Sequence, residues 1–182
     1  MNRLIRIFSI CSLLLFATAG STGESSVKSG FDVGETTQSF TVMDVTGKYA
    51  GKRICYVCEF QDEPNVIGFF NETSDSTADF IAKMDGLVKS NAGLNAVAVI
   101  VGGEEAAPWL ADLSKERGLE IPLVYLRKGK KDLAVRLYRL SEEVDNTFLV
   151  SVNRKVMANI TDIAVNDFTQ VADATAAMLA AK

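Results

Sequence analysis

The side chains with chemistry to offer are Cys55 and Cys58, spaced C-x-x-C in Cys55-Tyr56-Val57-Cys58. Two thiols three residues apart, held in a turn or a helical turn, can close a small disulfide ring, and such rings can be readily reducible. Lys52 and Arg53 stand just before Cys55, and positive charge favours the thiolate, the nucleophilic form. Glu59 opposes this at Cys58. On this reading Cys55, given the greater exposure, attacks and Cys58 resolves. Both are the candidate catalytic residues.

The same spacing fits three other arrangements. A structural disulfide is the ordinary use of two cysteines in an oxidising compartment, although so short a ring restrains the unfolded chain little. A metal site is a third, since two thiolates suit Cu(I) or zinc. Its remaining ligands must be carboxylates or the same pair from a second subunit. The fourth is plain packing. Ile54 to Phe60 alternates as a strand does. In a strand, residues i and i+3 lie about 10 Å apart and face opposite ways. A disulfide needs Cα atoms within about 7 Å, so a regular strand would forbid it.

Composition excludes much else. The chain of 182 residues has no histidine. That removes Ser-His and Cys-His nucleophile pairs and every His-ligated metal site. The net charge of −4 argues against a nucleic-acid partner, which needs a concentrated basic face. Gly102-Gly103 lacks the rest of a phosphate-binding motif, and no cofactor is called for. Arg127, Lys128, Lys130 and Lys131 around Gly129 read as a solvated basic turn. The pairs Glu104-Glu105 and Glu142-Glu143 read as surface or helix-end charges. Asn71-Glu72-Thr73 and Asn159-Ile160-Thr161 match a glycosylation pattern, which carries weight only in a eukaryotic source.

The chain opens as a secretory signal peptide over residues 1–19. Arg3 and Arg6 begin it, an apolar run spans Ile7 to Ala17, and Ala17-Thr18-Ala19 has the form of a cleavage site. The run is shorter than the roughly 18–20 residues a membrane helix needs, so no stable membrane insertion is expected after cleavage. Cleavage removes Cys11 and leaves Cys55 and Cys58 as the only pair. The expected location is periplasmic or extracellular. Residues 20–32, rich in Ser, Thr and Gly, read as a flexible leader, and the domain as 33–182.

These elements must position the pair. Phe40 to Asp44, Val66 to Phe70, Ala96 to Val101 and Leu123 to Leu126 read as strands. Thr147 to Val152 and Val156 to Thr161 form a hairpin turning at Asn153-Arg154-Lys155. Thr77 to Ser90, Glu104 to Arg117 and Asp167 to Ala181 have helical spacing, with Asn166 as the N-cap of the last and Gly118 stopping the second. Asp132 to Tyr138 is a short helix or turn. Unalternating apolar strands imply burial on both faces, hence a largely parallel centre between helices. The fold class is α/β, with one mixed central sheet and helices on both faces.

In element order the chain resembles the thioredoxin-like superfamily, in particular its peroxiredoxin and TlpA-like (AhpC/TSA-type) branch. The matching stretches are VGETTQSFTVMDVTGK at 33–48, VIGFF at 66–70, IPLVYL at 121–126 and TFLVSVNRKV at 147–156. The resemblance implies a redox pair just after Phe70, at the start of the next helix. The chain there reads Asn71 to Thr77 without cysteine, with Ser74 and Thr77 roughly where the thiols would stand. The proline expected before TFLV is replaced by Asp145-Asn146. Peroxidase chemistry is therefore not expected, and Ser74 reads as a helix cap. What remains is thiol–disulfide exchange or redox sensing through the displaced Cys55 and Cys58, with protein thiols or a redox protein as partner. The alternatives are a non-catalytic interaction module stapled by a disulfide, and thiolate metal binding.

Overall fold

The computed structural model describes residues 27–181. The signal-peptide reading of residues 1–19 and Cys11 lie outside the described residues. Strands β1 (Val42–Asp44), β2 (Arg53–Ile54), β3 (Asn65–Phe70), β4 (Asn95–Ile100), β5 (Leu123–Tyr125), β6 (Asn146–Val152) and β7 (Lys155–Thr161) form one sheet in the order β2-β1-β5-β4-β3-β6-β7. The centre is parallel, β3 with β4 and β4 with β5. The flanking strands pair antiparallel. The mixed sheet expected from the apolar runs is thus observed.

Among the described residues five helices cover it: α1 (Tyr56–Phe60), α2 (Asp75–Ser90), α3 (Ala107–Arg117), α4 (Leu133–Leu137) and α5 (Thr169–Ala180). Period-two alternation sorts the strand residues between two cores. Val66, Phe70, Ala96, Ala98 and Ile100 face Ile81, Met84, Leu110 and Val171 of α2, α3 and α5. Ile67, Phe69, Val97 and Val99 face Tyr56, Val57 and Phe60 of α1 and Val135 of α4. Burying each large aliphatic side chain contributes about 2 kcal/mol. In the second core Tyr138 is fully buried among Phe31, Phe40 and Phe69, at centroid distances of 4.6, 4.8 and 5.3 Å. Its hydroxyl donates to Gln38 O at 2.5 Å, so the ring is buried without an orphaned donor.

Four local expectations shift. The Ile54 to Phe60 strand exists only as Arg53–Ile54, and the chain then turns into α1, which buries Tyr56, Val57 and Phe60 along one helical stripe. Asn166 does not cap α5. It lies in a 3-10 turn over Val165–Asp167, and Phe168 occupies the cap position, its carbonyl accepting from Val171 and Ala172. The hairpin turn has two residues, Asn153 and Arg154, with Lys155 already paired to Val152. Finally, the stretch read as a flexible leader packs at its end. Ser29 and Phe31 are buried, Ser29 Oγ lies 2.7 Å from Thr147 Oγ1, and Asn159 Nδ2 donates to both Ser29 O and Phe31 O. The packed domain therefore begins before residue 33.

Candidate functional site

Cys55 follows β2 and caps α1. Its backbone is extended, and its carbonyl accepts from Cys58 N and Glu59 N. That single turn brings the two Cα atoms to 5.2 Å, and Cys55 and Cys58 are joined by a disulfide. The geometry explains why the helical course of the chain matters: a strand would have held the thiols apart. Gln61, with φ of 48°, stops the helix after one turn and sends the chain toward β3.

The two sulfurs differ in surroundings. Cys55 is half-buried against the second core, while Cys58 is exposed. The role that the sequence reading gives to Cys55 depends on its being the more exposed, and the order is the reverse. Cys58 N–H donates to Cys55 Sγ at 3.2 Å. Ser39 Oγ lies 3.4 Å from Cys58 Sγ. With the sulfurs bonded to each other neither carries a proton, so the serine hydroxyl is the donor in that contact. Ser39 Oγ in turn accepts from Arg154 Nη2 at 3.2 Å.

The cations named from the sequence are placed differently. Lys52 and Arg53 are exposed, and Arg53 Nη2 donates to Thr41 Oγ1 at 3.0 Å. Glu59, expected to oppose a thiolate at Cys58, accepts from Tyr49 Oη at 2.6 Å. Sequence reasoning missed Ser39 and Arg154. One signal was present: Arg154 is the second residue of a two-residue hairpin turn, a position that favours glycine.

Beneath the pair, α1 is tied down by a buried carboxylate. Asp44 Oδ2 accepts from Tyr56 Oη and Tyr49 N, and its Oδ1 accepts from Gly47 N, at 2.7, 2.8 and 2.8 Å. Burial, then the hydrogen bond to Asp44, pushes the Tyr56 phenol well above its ordinary range. Tyr56, Glu59 and Phe60 also line a cavity of about 430 Å³, shared with Asn95 and Ala96 at the start of β4 and Pro122 before β5. The disulfide helix therefore packs at the end of the sheet where β4 and β5 begin.

At the opposite end, after Phe70, a hollow of about 370 Å³ is lined by Ser74, Thr77, Phe80, Asp145 and Asn146. Ser74 Oγ accepts from Thr77 N at 3.1 Å, and Thr77 Oγ1 donates to Glu72 O at 2.9 Å. Ser74 is thus a helix cap. Asn146 stands where a proline was expected; its amide donates to Ile163 O and accepts from Ile163 N. Among the described residues no peptide bond is cis. The basic turn is observed as exposed Arg127, Lys128, Lys130 and Lys131, with Lys130 paired to Glu142 at 3.3 Å. No group of three or more His, Cys, Asp or Glu side chains among the described residues is arranged to hold a metal. None of the described helices is long and apolar enough to cross a membrane.

No protein-family model and no curated protein matches the sequence. Solved structures do match. The peroxidoxin BcpB from Mycobacterium tuberculosis superposes with a TM-score of 0.61 at 16% identity, over 79% of this chain and 94% of that one. A secreted M. tuberculosis disulfide oxidoreductase homologous to E. coli DsbE gives 0.59 at 12% identity, over 76% and 95%. Xanthomonas campestris peroxiredoxin Q gives 0.60 at 13% identity, over 76% and 90%. The fold is thioredoxin-like, as the element order implied.

Proposed function

We propose that this thioredoxin-like chain exchanges disulfides with the thiols of other proteins through Cys55 and Cys58. The observation that carries the reading is exposed Cys58 in a four-residue disulfide ring whose other sulfur, on Cys55, already receives a backbone N–H. An incoming protein thiolate reaches Cys58 Sγ, and a mixed disulfide forms there. The Cys55–Cys58 bond breaks, and its electron pair leaves on Cys55. The Cys58 N–H, aimed at Cys55 Sγ, stabilises that leaving thiolate, which makes the step easier. Attack of the freed Cys55 on the mixed disulfide reverses it. A redox sensor uses the same chemistry with the signal read as the state of the pair. Export belongs to this proposal. It rests on the signal-peptide reading of residues 1–19, and an oxidising compartment would supply the disulfide.

The measurement that tests the reading is the reduction potential of the pair, by alkylation and intact mass across glutathione and dithiothreitol buffers. A value between roughly −120 and −270 mV, where exchange proteins lie, is expected. A value below about −300 mV would overturn it and leave the second reading, a stapled interaction module. That reading draws on the packing of half-buried Cys55 and of Tyr56, Val57 and Phe60 against the core.

A further inference from the structure

Arg154 occupies a position its side chain does not favour. With Asn153 it makes the two-residue turn between β6 and β7, and both have positive φ, 52° and 60°. The second place of such a turn favours glycine, and a side chain there costs on the order of 1 kcal/mol. The Arg154 guanidinium folds inward. Nη2 donates to Ser39 Oγ at 3.2 Å and to Thr37 O at 3.4 Å, and Nε is buried without a hydrogen-bond partner. A buried donor of a cation with no acceptor is costly. Arg154 makes none of the described ion pairs. The nearest group able to carry negative charge along its hydrogen bonds is Cys58, one hydroxyl away through Ser39.

We infer that Arg154, acting through the Ser39 hydroxyl, holds negative charge on Cys58 Sγ in the reduced protein and so makes Cys58, not Cys55, the attacking sulfur. The inference rests on the exchange reading above and assigns its polarity. In the reduced pair, Arg154 polarises Ser39 O–H toward Cys58 and stabilises the thiolate. That thiolate attacks a sulfur of a protein disulfide. One bond forms to Cys58, the substrate bond breaks, and the first substrate thiolate leaves and takes a proton from water. Cys55 then gives its proton to water and attacks Cys58 Sγ, the Cys55–Cys58 bond forms, and the second substrate thiolate leaves. The substrate disulfide gains two electrons and the cysteine pair loses two. Other charges near the pair are Lys52 and Arg53 before Cys55 and Glu59 after Cys58, the last engaged by Tyr49. Arg154 is a positioning residue, because it acts on the sulfur through Ser39.

The test alkylates the reduced protein with iodoacetamide from pH 5 to 10 and reads each cysteine by peptide mass. In the wild type, Cys58 should react first, with a midpoint well below the ordinary thiol value of about 8.5. Arg154→Gln and Ser39→Ala should each move the Cys58 midpoint toward that value and slow its reaction at pH 7 about tenfold. Arg154→Lys, which keeps the charge, should restore part of the rate. The double variant should lose no more than either single one, since both lie on one path. Ser39 is exposed, so Ser39→Ala is expected to fold and keeps the test open should Arg154→Gln not. Unchanged midpoints in folded variants, or faster alkylation of Cys55 than of Cys58, would overturn the inference. The two readings fail separately. A wild-type potential in the exchange range with unmoved midpoints removes Arg154 from the site and leaves exchange standing. A potential too low for exchange removes that reading, while the midpoints still decide whether Arg154 charges Cys58.

Discussion

Tyr56, the first residue of the helix that Cys55 caps, donates its hydroxyl to Asp44 Oδ2 at 2.7 Å. The bond joins the disulfide helix to β1 inside the protein, where Asp44 is only 2% exposed. Asp44 keeps two backbone donors when the phenol is removed, from Gly47 and Tyr49. Tyr56→Phe should therefore lower stability by about 2 kcal/mol, the loss of one hydrogen bond to a charged acceptor. Urea unfolding with an unchanged slope would measure this. A cost near zero would mean that α1 is held by its apolar stripe alone.

Buried phenols should set the alkaline limit, Tyr56 and Tyr138 foremost, with Tyr125 raised by burial as well. Burial raises both Tyr56 and Tyr138 above the ordinary value of 10.0; at Tyr56 the bond to Asp44 adds to this. A group whose folded pKa lies above its unfolded one adds stability that is complete below the unfolded value. That stability is lost as pH rises from there toward the folded value. Unfolding free energy should thus fall above about pH 10, and tyrosinate absorbance from these two rings should appear together with unfolding. Tyr138→Phe should flatten part of that alkaline limb. If all four tyrosines ionise near pH 10 in the folded protein, the two rings are not sealed as described.

Opening the disulfide should cost little stability. The ring closes only four residues, and chain entropy assigns such a ring about 2 kcal/mol. The Cys55→Ser, Cys58→Ser double variant should remain folded, with an unfolding free energy lowered by no more than that amount. A larger loss would place the bond among the structural supports of the second core.

The sheet was legible because its strands obey simple rules. Ile67 and Phe69 face one core while Val66 and Phe70 face the other, as a period of two requires. Ser74 and Gly118 were legible as helix ends because their chemistry is local: a hydroxyl accepting from Thr77 N, and a left-handed φ of 59°. The course of Ile54 to Phe60 was not. A one-turn helix offers a single inward stripe, and Tyr56, Val57 and Phe60 satisfy it, while Ile54, Tyr56, Cys58 and Phe60 equally fit alternation. Asn166 misled for a similar reason, since a good capping residue also suits the 3-10 turn before α5. The surroundings of Cys58 were the least legible. Ser39 precedes β1 and Arg154 sits in the last hairpin, and long-range backbone bonds from Gly34 to Val156 and from Thr37 to Arg154, with the bridge from Thr36 to Lys155, bring them together.

At the acid end the group expected to matter most is Asp85 on α2. It is 4% exposed, and its Oδ1 accepts from Glu120 N at 2.7 Å and Ile121 N at 3.0 Å, while Lys89 Nζ lies 2.7 Å from Oδ2. Burial raises its pKa, but the Lys89 hydrogen bond and the two backbone donors outweigh burial, and the net direction is down from 3.8. A depressed folded pKa adds stability that is complete above the unfolded value and lost as pH falls through the folded one. The loss should therefore appear below about pH 4. Asp85→Asn keeps an acceptor for the two N–H groups and should flatten that acid limb at modest cost near neutrality. Asp85→Ala strands both N–H groups between α2 and β5 and should cost about 3 kcal/mol at pH 7. An acid limb equally steep in wild type and Asp85→Asn would show that another carboxylate governs acid unfolding.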